Sequence, residues 1–409
     1  MAHKFKTDAL RHAYINRLRQ GISRSTHFEA RFNTTLDGSP SGQLVLPFTP
    51  NADNLIDWGD ATINNLATHT YTGSPTDVTV KITGTIDDWR YDDTGDEKKQ
   101  IELISHGPDF QSPSDSVWQG CTNMAWSVPA KNTPTLTTTN LTSYFEGCSA
   151  GVNIDLSRWN VSNITNMVNM FFVGPTPIGI NFWDVSNCIN FTQMFFGVDD
   201  LPSPIGVWNM ISATNISGMF RNSGNFNEDV GPWNVENVTH MSHTFAGAST
   251  FNKDIGSWDV RKVITMHSMF GDADSFNQYI GDWQLDAILD LSWMFTGNSV
   301  FDQDIGGWGV GTCTNFSNMF SGATSFNQYL PWDFSSATNL NTMLDNCGMS
   351  TANFDSFLVN LNSQAADLTV GLNLGAQGLT YTSAGAGGTA LTALMGAPAF
   401  MTFTGVTGV

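Results

Sequence analysis

Basic side chains are scarce in this sequence and unevenly placed. Lysine and arginine number 17 against 37 aspartates and glutamates in 409 residues, which gives a formal net charge of −20. Residues 1–31 hold seven of the basic side chains and two acidic ones, so this segment carries +5 and the remainder carries −25. Because a body of that charge is repelled by nucleic acid and by anionic membrane surfaces, we expect no nucleic-acid partner.

Long apolar runs and familiar catalytic signatures are also missing. No apolar run reaches the roughly 18 residues of a membrane-spanning helix, so we expect no membrane insertion. The N-terminal sequence MAHKFKTDALRHAYINRLRQ lacks the apolar region and the cleavage site of a secretory signal, and we expect no export by that route. The chain has no GxSxG, HExxH or Walker motif, which favours a non-enzymatic protein without a cofactor.

Tryptophan recurs with a spacing of 24 or 25 residues. The eight positions are Trp159, Trp183, Trp208, Trp233, Trp258, Trp283, Trp308 and Trp332. A phenylalanine follows the first seven members of this series at a distance of twelve residues, at Phe171, Phe195, Phe220, Phe245, Phe270, Phe295 and Phe320. Phased self-similarity of this kind predicts a repeat array in which these rings form the structural core shared by neighbouring units.

Two periodicities alternate within one unit, FNKDIGSWDVRKVITMHSMFGDAD. Trp258 and Val260 alternate as in a short β-strand, whereas Val263, Met266 and Phe270 fall on one face of a helix of about two turns. Glycine stands two residues before five successive tryptophans and predicts a tight backbone path, at Gly206, Gly231, Gly256, Gly281 and Gly306. The sequence therefore predicts a β-rich, leucine-rich-repeat-like solenoid with one strand and one short helix per coil of about 25 residues.

The five cysteines occupy positions that other units fill with small apolar residues. Cys121, Cys148 and Cys347 align with alanines, and Cys188 and Cys313 align with valines. We therefore expect buried thiols rather than a disulfide framework. Such thiols favour folding in a reducing compartment.

Changes in composition divide the chain into five segments. We predict a basic arm or helix at 1–27, an immunoglobulin-like β-sandwich at 28–100, a capping segment with degenerate repeats at 101–150, the repeat solenoid at 151–347 and a C-terminal cap at 348–409. A solenoid needs such a cap because its last coil otherwise leaves an open edge.

The N-terminal arm carries the side chains that could anchor the chain. We expect the arm to dock, either on the acidic body of this chain or on a partner, and the alternative is a solvated arm. Its candidate anchoring residues are Lys4, Lys6, Arg11, Arg17, Arg19 and Arg24.

Several acidic and histidine positions could carry chemistry, but each has a simpler explanation. His240 and His243 lie three residues apart without a third metal ligand, and we expect them to be exposed polar positions. Asp57 and Asp60 are expected to be turn residues rather than a carboxylate pair. Calcium could bind at Asp92–Asp93, at Asp199–Asp200 or along the ladder Asn227, Asn252, Asn277, Asp302 and Asn327. Hydrogen bonding within each coil explains the ladder better, and we expect no metal.

The repeat unit resembles a known family. Its pattern FNxDIGxWDVxxVxxMxxMF, found over about residues 118–347, is similar to the BspA-like leucine-rich surface repeats in the form that is abundant in mycoplasma surface lipoproteins. Upstream, Trp58–Asp60, His69–Tyr71 and Val78–Gly84 resemble polycystic-kidney-disease (PKD) type immunoglobulin-like domains. This second resemblance is less complete, because Ala61 stands where that family usually has glycine.

The resemblance implies an adhesion or recognition protein without catalytic activity. The repeat family also occurs in phages, whose virion proteins assemble in the host cytoplasm and need no export signal. We therefore expect a virion protein displayed outward, as a head decoration, a fibre or a tail-associated receptor-binding protein. Its expected partners are other virion proteins, through the arm or the PKD-like domain, a host-surface receptor, and further copies of itself in a homo-oligomer. The alternative is a bacterial cell-surface adhesin.

Overall fold

A computed structural model describes residues 27–86, 88–91, 96–106, 111–112, 115–126, 134–148, 153–396, 399 and 401–409. The chain divides into two compact units. The first contains the described residues up to Cys188 together with Leu201–Ser203. The second contains Ile189–Asp200 and Pro204–Val409.

The N-terminal part of the first unit is built from β-strands whose residues alternate between buried and more exposed positions, as the two faces of a sheet require. A six-stranded sheet contains β1 (Phe28–Phe32), β3 (Leu55–Asp57), β4 (Ile63–Asn64), β6 (Val78–Thr83), β7 (Gln100–Ser105) and β9 (Ala125–Trp126). Their spatial order is β4-β3-β6-β1-β7-β9, and only β7 and β9 run parallel. A separate antiparallel pair is formed by β2 (Gln43–Val45) and β5 (Thr68–Thr70).

The sheet extends into the segment that we predicted as a cap for the repeats. The predicted boundary at residue 100 falls within β7, which pairs with β1 on one side and β9 on the other. Trp118 brings the first degenerate repeat against this sheet, since its ring centroid lies 5.8 Å from that of Trp89 and 6.5 Å from that of Phe28. Within the first unit, the sheet and the first repeat therefore share a core.

Successive repeat units, which we call coils, stack through short parallel pairings. In the first unit these are β8 (Gln111–Ser112) with β10 (Thr135–Leu136), and β11 (Asn153–Asp155) with β12 (Thr176–Ile178). In the second unit each coil contributes one residue to a chain of parallel bridges through Asn190, Asn215, His240, Thr265, Asp290, Asn315 and Asn339. The described structure is therefore a β-rich repeat protein with few helices.

Successive backbone N–H groups of a coil donate alternately to the following coil and to their own coil. The N–H groups of Met266, Ser268 and Phe270 donate to carbonyls of the following coil over 2.8–3.0 Å. The intervening N–H groups of Met269 and Gly271 instead donate to the carbonyl three residues back in their own coil. Neighbouring coils repeat this arrangement, so every second donor in the segment links one coil to the next.

The predicted short helix in each coil is wrong. Residues 263–270 form a series of tight turns, because an α-helix needs every N–H to bond four residues back, and here alternate donors leave the coil. Ser268 also has a φ of 53°, which a right-handed helix cannot accommodate. The strand predicted at Trp258 and Val260 is absent as well, and the parallel pairing occurs instead at Thr265.

Helices occur instead in the segment predicted as the C-terminal cap. α1 (Thr351–Ser363) begins after Ser350, whose side chain accepts a hydrogen bond from the Asn353 N–H, and α2 (Ala386–Met395) follows. Each helix leads into two short strands, β13 (Asn373–Gly375) and β14 (Thr380–Tyr381), then β15 (Thr402–Thr404) and β16 (Thr407–Gly408). β13 pairs parallel to β15, β14 pairs parallel to β16, and Leu340 bridges to Leu374. The parallel pairing between successive segments thus continues beyond the coils, and each of these last segments contains an α-helix.

The aromatic side chains of the second unit form columns. Trp233 and Trp258 stack with centroids 6.4 Å apart and planes 5° apart, and Trp283 and Trp308 repeat this geometry at 6.3 Å and 9°. The indole N–H of Trp258 donates to the carbonyl of Val230 in the preceding coil over 3.2 Å. All eight repeat tryptophans are between 1% and 8% exposed, and the five phenylalanines Phe220, Phe245, Phe270, Phe295 and Phe320 are fully buried.

The glycine before each tryptophan marks a close approach between coils. A Cβ placed on Gly256 would lie 2.7 Å from the carbonyl oxygen of Tyr279, and Gly206, Gly231 and Gly281 approach the equivalent carbonyl more closely. A side chain there would collide with the backbone of the next coil. The predicted tight backbone path is confirmed at these positions.

Replacing Trp258 tests whether the coils are stabilised jointly. We expect Trp258→Ala to lower the free energy of unfolding by about 3–5 kcal/mol through the cavity it leaves. Trp258→Phe should cost less, but at least about 1 kcal/mol, because the Val230 carbonyl loses its indole donor. Hydrogen exchange followed by mass spectrometry should show lost protection in the coils of Trp233 and Trp283 as well. Loss confined to the coil of Trp258 would contradict joint stabilisation.

Candidate functional site

The asparagine ladder joins neighbouring coils. The Oδ1 of Asn277 accepts hydrogen bonds from the Asp302 backbone N–H at 3.0 Å and from the Gln303 side-chain amide at 2.9 Å. Asp302 does the same for Asn327 and Gln328, with both distances 2.8 Å. We predicted hydrogen bonding within a coil, and this was wrong, because the acceptor and its donors lie 25 or 26 residues apart.

The residues considered for metal binding have other partners. His240 contacts the hydroxyl of Thr239 through Nδ1 at 2.8 Å, and the ring against His243 is that of His267 in the next coil. Asp199 accepts a hydrogen bond from the Gly224 N–H at 3.0 Å. In the described part of the chain, no three His, Cys, Asp or Glu side chains are grouped as metal ligands. Asp92–Asp93 lie outside the described residues.

The two carboxylates beside Trp58 serve turns, as predicted. Asp57 accepts a hydrogen bond from the Gly59 N–H at 2.9 Å, and Asp60 accepts one from the Thr62 N–H at 3.1 Å. The second oxygen of Asp60 lies 2.8 Å from Nε2 of His69, and this contact lowers the pKa of Asp60. Both carboxylates therefore stabilise local turns.

The cysteines are buried thiols, as the repeat alignment predicted. Burial raises the pKa of Cys121 well above its usual value, and it raises that of Cys313 to about 12 and that of Cys347 to about 11. Thiols with such pKa values stay protonated at neutral pH, and a protonated thiol is a poor nucleophile. They act as small apolar core residues.

The structure describes none of the residues of the N-terminal arm before His27. Its six candidate anchoring residues lie outside the described residues and are Lys4, Lys6, Arg11, Arg17, Arg19 and Arg24. No helix in the described part of the chain has the length and apolar character needed to cross a bilayer.

Each coil contains two residues with left-handed backbone. They lie two residues before and two residues after a fully buried residue of the coil, and these buried residues are Phe145, Phe171, Phe195, Phe220, Phe245, Phe270, Phe295, Phe320 and Leu344. We call the later position the glycine column; it holds Gly147, Val173, Gly197, Asn222, Gly247, Asp272, Gly297, Gly322 and Asn346. Glycine, asparagine and aspartate tolerate positive φ best, so all but Val173 follow the backbone preference. The glycines of this column recur in the sequence at intervals of 25 or 50 residues, at Gly197, Gly247, Gly297 and Gly322.

The earlier position is filled differently, and we call it the variable column. It holds Ser143, Asn169, Gln193, Gly218, His243, Ser268, Trp293, Asn318 and Thr342, all with φ between 53° and 63°. A bulky or β-branched residue is strained in this region, yet Trp293 and Thr342 occupy it. This column could not be predicted from the sequence, because its members share no side-chain type.

The two columns border a cavity of about 240 Å³ in the second unit. Its wall includes Arg221, His243, His267, Asp272 and Trp293. The His243 and His267 rings meet edge to face with centroids 4.7 Å apart, and the Nδ1 atom of His243 is buried without a hydrogen-bond partner. Burial, assisted by the charges of Arg221 and His267, lowers the pKa of His243 to about 4. His243 is therefore uncharged at neutral pH.

The repeats match a known family over most of their length. Four overlapping matches to the family described as "Mycoplasma protein of unknown function, DUF285" cover residues 115–176, 139–256, 172–278 and 241–357. Together they span more than half of the chain and include all eight repeat tryptophans. The chain belongs to this family. The expectation of a mycoplasma-type repeat is thereby confirmed, while the DUF285 matches begin at residue 115 and include only β9 of the N-terminal sheet.

No curated protein and no solved structure matches the chain. The DUF285 description states no activity, so function must be argued from the geometry of the coils themselves.

A pair of substitutions at Asp302 tests the ladder. Asp302→Ala removes the acceptor for Asn327 and Gln328, and we expect the free energy of unfolding to fall by about 1–2 kcal/mol in urea titrations. Asp302→Asn removes the same charge but keeps the acceptor oxygen, so its effect should stay within about 0.5 kcal/mol. Equal losses for the two variants would show that charge, and not the hydrogen bonds, matters at this position.

Proposed function

We propose that this chain is a non-enzymatic recognition protein whose coils form a solenoid that presents different side chains at one repeated backbone position. The observation that best supports this proposal is the variable column. Every coil has the same left-handed backbone there, but the side chain changes from one coil to the next. A purely structural position under that constraint would be filled by glycine or asparagine, as the glycine column is.

The invariant positions explain how such variation is tolerated. Tryptophan, phenylalanine and the asparagine ladder make contacts between coils that involve no side chain of the variable column. Within the column, His243 does contact His267 of the next coil. The outward residue can therefore change without loss of the core. Surface residues on a rigid scaffold are the usual location of binding function.

The proposed N-terminal module is a PKD-like immunoglobulin domain. A compact aromatic cluster supports this proposal. The His69 ring stacks on Trp58 at 5.0 Å and meets Tyr71 edge to face at 4.5 Å, and the Tyr71 hydroxyl donates to the Trp58 carbonyl over 3.0 Å. The residues of the WGD and HTY sequences thus fix the turn between β3 and β4 against β5, as a structural module would require.

We further propose display on a phage particle, with the arm or the N-terminal module as the anchor. Two features support this location. The chain separates a segment of charge +5 from a body of −25, which suits attachment through one end. Its buried thiols suit folding in a reducing cytoplasm, where virions assemble. The alternative is a bacterial cell-surface adhesin, and in either location we propose a homo-oligomer without enzymatic activity.

Mass spectrometry of purified particles and of surface-digested cells from the source organism tests this proposal. We expect the chain in gradient-purified particles, where external protease releases peptides from residues 189–409. A full-length variant with Lys4, Lys6, Arg11, Arg17, Arg19 and Arg24 replaced by glutamine should be depleted from particles if the arm is the anchor. Recovery from digested cell surfaces alone would favour the adhesin. Absence from both would overturn display as the function.

A further inference from the structure

Trp293 is the least expected residue of the variable column. Its φ is 62°, in the region that favours glycine, and its side chain is 44% exposed. Neither backbone preference nor burial therefore explains a tryptophan there. The other tryptophans of the repeats are buried in the core, so Trp293 is a large aromatic surface placed where it lowers stability. Strain held at an exposed site indicates a functional role.

The surroundings of Trp293 form a small polar site. The cavity of about 240 Å³ is lined by residues of three successive coils, with His243 from the first, Ser268 and Asp272 from the second and Trp293 from the third. This volume is below the roughly 300–1,000 Å³ of pockets for drug-sized ligands, so it suits one ring of a ligand or one unit of a polymer. An aromatic face with convergent polar groups is the usual composition of a small-molecule site.

The charges of the site favour a neutral ligand. Its wall carries one guanidinium, Arg221, and one carboxylate, Asp272. The guanidinium carbon of Arg221 lies 5.7 Å above the Phe196 ring, which fixes its position. A phosphate or sulfate group would need several cationic donors, and the body of the chain is strongly acidic.

One polar atom of the site still needs a partner. The Nδ1 atom of His243 is buried and makes no hydrogen bond, although buried polar atoms are nearly always satisfied. A neutral imidazole nitrogen donates or accepts according to its tautomer, and a hydroxyl group does both. Because Nδ1 is buried, the His243 ring has to rotate before this atom meets a ligand, and a hydroxyl group then suits it in either tautomer.

We propose that the cavity beside Trp293 binds a neutral pyranose unit of a glycan, with one apolar C–H face of the sugar against the indole and its hydroxyls toward His243, Ser268 and Asp272. The C–H groups of a pyranose ring carry partial positive charge, and the indole face is the negative end of the aromatic quadrupole. This assignment rests on the proposed recognition function and adds the class of ligand that is recognised.

The matched variants are Trp293→Asn and Tyr279→Asn. Asparagine occupies the equivalent position of other coils at Asn169 and Asn318, so Trp293→Asn should fold and melt at the same or a higher temperature. Tyr279 is 49% exposed, belongs to the same unit and does not line the cavity, which makes it the control for loss of an exposed aromatic. Both variants are made in the full chain.

Labelled full-length protein is first applied to an array of neutral and anionic oligosaccharides, and the hits are titrated by calorimetry. We expect binding to at least one neutral glycan, a rise in Kd of about tenfold or more in Trp293→Asn, and an unchanged Kd in Tyr279→Asn. The site assignment is overturned if no neutral glycan binds, if only anionic glycans bind, or if Trp293→Asn binds as well as the unmodified chain. Equal weakening in both variants also overturns it.

A cell-binding arm separates this assignment from the proposed function and from a protein ligand. Host cells are compared before and after periodate oxidation of their glycans, with the chain and the two variants. Binding that survives oxidation and still requires Trp293 would identify a protein ligand and overturn the glycan assignment. Binding that survives both oxidation and Trp293→Asn would leave recognition standing and remove this site. Glycan binding by a chain absent from particles and cell surfaces would instead remove display as the function.

Discussion

In the second unit, successive buried indoles from Trp233 onward donate their N–H to a carbonyl of the preceding coil. Trp258 donates to Val230, and Trp283, Trp308 and Trp332 donate to the equivalent carbonyls, over 2.9–3.2 Å. A buried N–H without an acceptor costs about 1–3 kcal/mol, so an isolated coil would leave both its indole and its alternate backbone donors unsatisfied. Each coil is therefore a stable structure only in the company of its neighbours.

That dependence explains which positions repeat and which vary. Residues between coils must satisfy the coil before and the coil after, so tryptophan, phenylalanine, the ladder amide and the close-approach glycine recur at fixed spacing. The side chains of the variable column make none of those contacts, and they range from glycine to tryptophan on the same left-handed backbone. The proposed recognition function uses the one repeated position that the core leaves unspecified.

The aromatic period was sufficient to predict buried columns, because chemically identical rings at a constant spacing can be buried together only by stacking. The short helix could not be distinguished in the same way. Val263, Met266 and Phe270 lie on one side of the chain both in an α-helix and in turns that bond three residues back, so apolar spacing alone does not separate the two. The left-handed residue that decides between them, Ser268, has no distinguishing side chain. The asparagine ladder was recognised in the sequence. Whether its hydrogen bonds form within a coil or between coils depends on how neighbouring coils align, and the sequence of a single coil does not reveal that alignment. Of the cavity residues, only His243 was named as a candidate from the sequence, and it was paired with His240 and not with Trp293. Trp293 was missed because it does not belong to the series of tryptophans spaced by 24 or 25 residues.

Deletion of a complete coil tests joint stabilisation most directly. Removing residues 251–275 joins Thr250 to Phe276 in the phase of the repeat and should leave one cooperative unfolding transition, with buried tryptophans still stacked. Removing residues 251–262 deletes Trp258 and the Ile255 carbonyl that accepts from Trp283, and it puts the coils on the two sides of the junction out of phase, so the single cooperative transition should be lost. Equal stability of the two deletion variants, measured by urea titration and tryptophan fluorescence, would contradict the account.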